Sequence, residues 1–257
     1  MAVNPQGIGV QAAYRWYRNG QLQVNRRYQR KLVWTIEEKI SLIESIIREY
    51  PIPQFIFAEL REENRYEIID GVQRLNAIFS FIENNFTVDG AYFDIDQLAR
   101  ARQAVEDGEV GVERTFPRPI LTPEICANII DYQLAVTIFP ADNEERINEI
   151  FGRINSGGRQ LSDQDKRQAG SVSAFNEVVR TIASKIRGDD SQNPVDLRVM
   201  PAISIELPSQ VAGYAIRAQE VFWCRQGIVR ATELRQSADE QVIADLLAAM
   251  LFEDPRE

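Results

Sequence analysis

At Asp70-Gly71 the apolar spacing of the chain changes period. Before it, residues 54–60 (QFIFAEL) and 65–69 (RYEII) read as two strands joined across the polar connection Arg61 to Asn64. After it, Leu75, Ile78, Phe79 and Ile82 recur at helical spacing. A strand that passes through one tight turn into a helix restricts the fold to a mixed α/β class. The neighbouring segments agree. Residues 35–49 carry Ile36, Ile40, Ile43 and Ile47 on one helical face, with Thr35 and Glu38 in a capping-box pattern and Pro51 and Pro53 beyond the end. Asp89-Gly90 marks a hairpin turn, and residues 131–140 read as a strong strand.

Further along, residues 100–118 read as a polar loop or insertion. A helix is expected over 142–155, with Ile147, Ile150, Phe151 and Ile154 inward and Gly157-Gly158 ending it. Ser162 and Asp165 start another. Two late helices are expected. One spans 209–226, with Val211, Tyr214, Ala215, Ala218 and Phe222 inward. The other spans 238–252, with Val242, Ile243, Leu246, Leu247 and Met250 inward. The organisation expected is a mixed α/β core over residues 1–165 and a helical C-terminal lobe over 166–257.

The 257 residues contain no histidine. That excludes Ser-His-Asp and Cys-His catalysis, His-ligated zinc, and any histidine-dependent nuclease chemistry within this chain. Cys126 and Cys224 are far apart and form no CxxC pair, so they read as ordinary thiols of a reducing compartment. No signal-peptide pattern and no run of about 20 apolar residues is present, which gives the expectation of a cytoplasmic protein with no membrane partner. The net charge is −9, yet residues 1–34 hold six cations (Arg15, Arg18, Arg26, Arg27, Arg30, Lys31) and no acid. A basic strip on an acidic body suits a focused anion site better than a long duplex track; the plain alternative is a solvated face.

Three constellations can carry chemistry. In Asp70-Gly71-Val72-Gln73-Arg74, a helix start offers free amides to an anion. Gly71 permits close approach, and Arg74 can pair with phosphate oxygens. Gln73 can orient a water and Asp70 can hold Mg²⁺. The structural alternative makes Asp70 an N-cap and Arg74 a solvated first-turn residue. In the second, Tyr28, Gln29, Arg30 and Trp34 combine an amide, a cation and aromatics; Trp34 reads as a packing residue before a stacking one. In the third, Arg153 and Asn155 stand ahead of Gly157-Gly158, where a polar ligand can be closed from the far side or a helix corner simply capped.

Taken in order, Tyr28-Gln29-Arg30 with Trp34, Asp70-Gly71-Val72-Gln73-Arg74-Leu75, and Phe151-x-Arg153-Ile154-Asn155-x-x-Gly158-x-x-Leu161-Ser162 resemble the DGQQR domain family over about residues 20–170. That family forms the N-terminal part of GmrSD-type modification-dependent restriction enzymes and related phage-defence proteins. The resemblance implies a ParB/sulfiredoxin-like core that binds a nucleoside triphosphate, with Mg²⁺, and hydrolyses it to license nuclease action. On it, Asp70, Gln73 and Arg74 would be catalytic, Asp70 the candidate Mg²⁺ ligand, and Tyr28, Gln29, Arg30, Gly71, Arg153 and Asn155 nucleotide contacts. The family's HNH-type nuclease half has no counterpart here, so a nuclease or modification-sensing partner protein is expected. Val72 replaces the first Gln of the pattern and removes one hydrogen-bonding side chain. The alternatives are a ParB-like DNA-binding module, with residues 15–31 on the phosphate backbone, and a non-catalytic interaction protein.

Overall fold

The computed structural model describes residues 4–26, 31–94, 119–141, 147, 149–150, 174–189, 194–204 and 215–251. The fold is mixed α/β, as the period change at Gly71 requires. Strands β1 (Asn4–Gly9), β2 (Leu22–Val24), β3 (Phe55–Leu60), β4 (Arg65–Asp70), β5 (Gln133–Pro140) and β6 (Val195–Asp196) form one sheet in the order β1-β5-β3-β4-β2-β6. β2 runs parallel to β4, and β3 runs parallel to β5 in the opposite sense. The carboxyl ends of β2 and β4 therefore lie side by side. In sheets of this kind ligands collect at such ends.

One face of the sheet is covered by α1 (Val10–Arg18), α2 (Ile36–Ile47), α3 (Val72–Ile82) and α4 (Pro123–Asp131). Phe55, Phe57 and Ile68 from the strands meet Ile43, Ile46, Leu75, Ile78, Phe79 and Ile129 from the helices. Each such side chain stabilises the fold by about 1.5–3 kcal/mol through loss of apolar surface to water. On the opposite face Ala58, Ile69 and Phe139 pack against Ile147. α2 begins as expected: the Thr35 side chain accepts from the Glu38 amide and the Glu38 side chain accepts from the Thr35 amide, a complete capping box. Val88 and Ala91 pair across Asp89-Gly90, the turn signalled there.

The C-terminal part departs from expectation. Its described elements are α5 (Ala174–Arg187), β6, β7 (Ala202–Ser204), β8 (Ala215–Arg217), α6 (Phe222–Arg225), α7 (Ala231–Arg235) and α8 (Ala238–Leu251). The single helix expected over 209–226 is corrected. Residues 209–214, with Val211 and Tyr214, lie outside the described residues; of the described 215–226, 215–217 pair in parallel with 202–204 and 222–225 are α-helical. Phe222, expected inward, is exposed, and Trp223 is buried in its place. α8 is where the late helix was expected, and Ile243 faces inward, but Leu246 and Met250 point to solvent. β6 adds to the large sheet, with Val195, Leu197 and Met200 in its core. The expected 165/166 boundary, residues 100–118, most of the 142–155 helix and the Ser162 helix start fall outside the described residues.

Candidate functional site

The turn from β4 into α3 is built around Gly71. Its φ of 104° lies in the left-handed region, and a Cβ there would stand 2.3 Å from Cδ1 of Phe55. Phe55 is fully buried and cannot yield, so backbone angle and space each demand glycine. A register shift in the β3–β4 pairing places Asp70 opposite Ile56 while Ile68 stays opposite Phe57. Such bulges commonly re-aim a side chain beside a site.

Gly71, not Asp70, is the N-cap of α3, and no side chain caps that helix. The reading of Asp70 as a cap is therefore corrected. Asp70 instead pairs with Arg74, Oδ2 to Nη2 at 2.7 Å, with its own side chain 47% exposed and that of Arg74 11% exposed. Arg74 is not the solvated residue of the structural alternative either. It donates to the carbonyls of Pro53 and Gln54, the latter at 3.0 Å, and its guanidinium lies 4.7 Å from the centroid of the Phe55 ring.

Gln73 reaches the other way. Its Oε1 accepts from the amides of Val33 (3.0 Å) and Trp34 (3.3 Å), and its Nε2 donates to the carbonyl of Lys31 (2.9 Å). One amide side chain thus satisfies three backbone groups roughly forty positions earlier. It fastens the segment entering α2 to the start of α3, so the tail of the second constellation is brought against the first. Trp34 packs partly buried against the main core, as a packing residue would. Tyr28, Gln29, Arg30, Arg153 and Asn155 lie outside the described residues.

Val72 is 6% exposed and belongs to the apolar core. Position 72 thus faces inward, away from the open side of the turn. Among the described residues the basic strip is divided rather than displayed as one face, with Arg27 and Arg30 outside them. Arg15 is exposed, Arg18 lies 3.7 Å from Glu83, and Arg26 pairs with Asp189. Lys31 is buried and donates to the carbonyl of Leu234. Phe55 and the Pro53 and Gln54 carbonyls were not read from the sequence as parts of the site. Pro53 signalled only a helix stop, while Arg26 and Lys31 were read as part of a basic strip suited to an anion and are instead engaged by Asp189 and the Leu234 carbonyl.

Both thiols are held above their ordinary titration range by burial, so neither is an activated nucleophile. Among the described residues no group of three or more acidic or thiol side chains gathers to hold a metal, and no helix is long and apolar enough to cross a membrane.

The fold and the turn define an α/β domain whose central motif locks two loops onto one helix start. Residues 14–170 match the GmrSD restriction endonuclease N-terminal domain, more than half of the chain, and the chain belongs to that family. Searches of curated proteins and of solved structures returned no match. By family, this is therefore a restriction-system domain.

Proposed function

We propose that the chain is a nucleotide-binding, NTP-hydrolysing regulatory domain of a restriction system, with its site at the carboxyl ends of β2 and β4. The observation that carries this is the triple hydrogen bond of Gln73 to Lys31, Val33 and Trp34. It fixes the segment following Gln29 and Arg30 to the Asp70–Arg74 turn, so that two separated motifs serve one ligand. The uncapped start of α3 supplies backbone donors for a phosphate. Asp70 is the solvent-facing carboxylate, and Arg74 is held in place by carbonyls on its inner side.

The donor set fits Mg²⁺ carried in by a nucleotide. That ion keeps several waters and needs only one or two carboxylates beside the phosphates. Asp70 would hold it, and the ion, when bound, would supply charge neutralisation at the phosphates. Gln73 keeps the loop in register, and Arg74 offers a guanidinium to developing negative charge. Arg153 and Asn155 complete the assignment from the family pattern, as do Tyr28, Gln29 and Arg30. A partner nuclease or modification sensor would receive the signal. The engagement of Arg18 with Glu83, Arg26 with Asp189 and Lys31 with the Leu234 carbonyl speaks against the ParB-like DNA-binding alternative.

The test is calorimetric titration of ATP, GTP, CTP and UTP with Mg²⁺, with phosphate release followed on the same samples. Binding with release is expected, and Arg74→Ala should abolish binding while the fold persists by circular dichroism. Unchanged binding in Arg74→Ala would remove the site assignment. Binding without release would leave a nucleotide sensor.

A further inference from the structure

The two described residues that flank positions 27–30 are both committed to the C-terminal part of the chain. Arg26 Nη2 lies 2.5 Å from Asp189 Oδ2, with the two side chains 9% and 0% exposed. Lys31 donates from Nζ to the carbonyl of Leu234 at 2.7 Å. Asp189 is shared: Arg187 Nη2 stands 3.9 Å from the same oxygen, while Arg187 Nη1 reaches Asp239 at 2.6 Å and Glu240 at 3.4 Å. The backbone follows the same path. The amide of Leu32 donates to Pro201 and the carbonyl of Leu32 accepts from Ile203. Arg235 adds an outer pair with Glu38 at the start of α2.

Three cations and three acids are thus closed away from water around one short stretch of chain. Such a group holds only when complete, because any member left alone is a buried charge without a partner. Contact between the segment and α5, α7 and α8 is therefore made or lost as a unit.

We propose that this ion cluster is a positioning device for the nucleotide site. Asp189, itself beside Arg187, holds Arg26; the Leu234 carbonyl holds Lys31; Gln73 holds Lys31, Val33 and Trp34; and occupancy at Asp70–Arg74 is thereby tied to the seating of the C-terminal elements. The inference rests on the nucleotide reading above. Coupling of this kind is reciprocal: nucleotide should tighten α5 and α8, and loosening the cluster should weaken nucleotide.

The experiment compares Asp189→Asn with Val179→Ala in the full chain. Val179 lies in the apolar cluster of the same elements and outside the ion cluster, so its loss tests destabilisation alone. Amide exchange at Leu32 and Val33 without nucleotide reads the anchoring, and titration of Mg²⁺ with each of the four NTPs reads the coupling. Asp189→Asn is expected to speed exchange at Leu32 and Val33 and to weaken nucleotide binding about 5-fold or more. Val179→Ala is expected to do neither at equal loss of melting temperature. Should Asp189→Asn fail to fold, Lys31→Met keeps the buried stem, removes only the ammonium, and is read the same way. Equal affinity in wild type and Asp189→Asn overturns the coupling. Exchange at Leu32 and Val33 that matches Val179→Ala overturns the anchoring. A wild type that binds none of the four NTPs overturns the nucleotide reading instead, with the exchange comparison still deciding the anchoring.

Discussion

The sheet side and the C-terminal side of this molecule bury their interiors by different means. Among the described residues, the largest fully buried side chains, Phe55, Phe57, Phe79, Phe81 and Phe93 included, all belong to the sheet side. The C-terminal elements have a smaller apolar cluster around Val179, Trp223 and Ile243, and beside it the buried Arg187, Asp189, Asp239 and Glu240. Among the described residues, Arg187 Nε, Asp189 Oδ1, Asp239 Oδ1, Trp223 Nε1 and Arg235 Nε are buried without a hydrogen-bond partner in that C-terminal region, and Asn84 Nδ2 is so on the sheet side. Apolar burial carries no titrating group, whereas a buried ion cluster responds to the protonation of its members. The sheet side, which β6 joins by pairing and apolar burial, is thus a fixed platform, and α5, α7 and α8 are held to it conditionally, through residues that also bracket the candidate site.

The largest effects should break this contrast cleanly. Phe57→Ala should cost about 3–5 kcal/mol and weaken the whole domain in one urea transition. Arg187→Ala should cost a comparable amount, about 3–5 kcal/mol, by stranding Asp239 and Glu240. Its loss should register as early exposure of Trp223 fluorescence ahead of the far-ultraviolet signal. A single coincident transition for Arg187→Ala would merge the two regions. Next comes Gly71→Ala, which meets the left-handed penalty and the Phe55 ring together, about 2–4 kcal/mol by chemical denaturation. A loss near zero would mean that the turn does not need glycine. Val72→Gln restores the residue type of the family pattern but places an amide in the apolar core. It should destabilise by about 1–3 kcal/mol, and a rise in phosphate release without loss of stability would refute the inward placement of position 72.

The smallest effects concern pH and carry opposite signs. Burial raises Asp189, and Arg26, Arg187 and Lys31 only partly offset it, so its folded value lies above the unfolded one. Its contribution is full below the unfolded value and fades as pH climbs through the folded value. Burial also acts to raise Glu38, but the Thr35 amide and Arg235 outweigh it and the net shift is downward. Its contribution is present above the unfolded value and is lost as pH falls through the folded value. Asp189→Asn and Glu38→Gln should therefore tilt the stability–pH curve in opposite directions across the acid range. Parallel tilts would contradict the assignment.

What the sequence made legible follows from locality. β3, β4, α2, α3 and the Asp89-Gly90 turn were readable because period, caps and turn residues act within a few positions. β1, with a proline and two glycines, has weak strand propensity and is held by pairing with β5, which no local signal reports. The stretch 215–225 carries apolar residues at helical spacing, yet pairing with β7 takes 215–217 as a strand; tertiary context overrides periodicity there. Asp70, Gly71, Gln73 and Arg74 were readable as a motif. Their partners were not, because Gln73 is satisfied by backbone groups and Arg74 by the Pro53 and Gln54 carbonyls, which carry no sequence mark. The pairing of Arg26 with Asp189 across 163 positions is a choice among many acids that only the fold makes.

The most direct test of the central claim is amide exchange along the chain with and without Mg²⁺ and whichever NTP binds in the titration. The account predicts added protection at two separated places together, Lys31 to Trp34 and Val72 to Leu75, which Gln73 joins into one site. Protection at only one of them, or at neither, would contradict it.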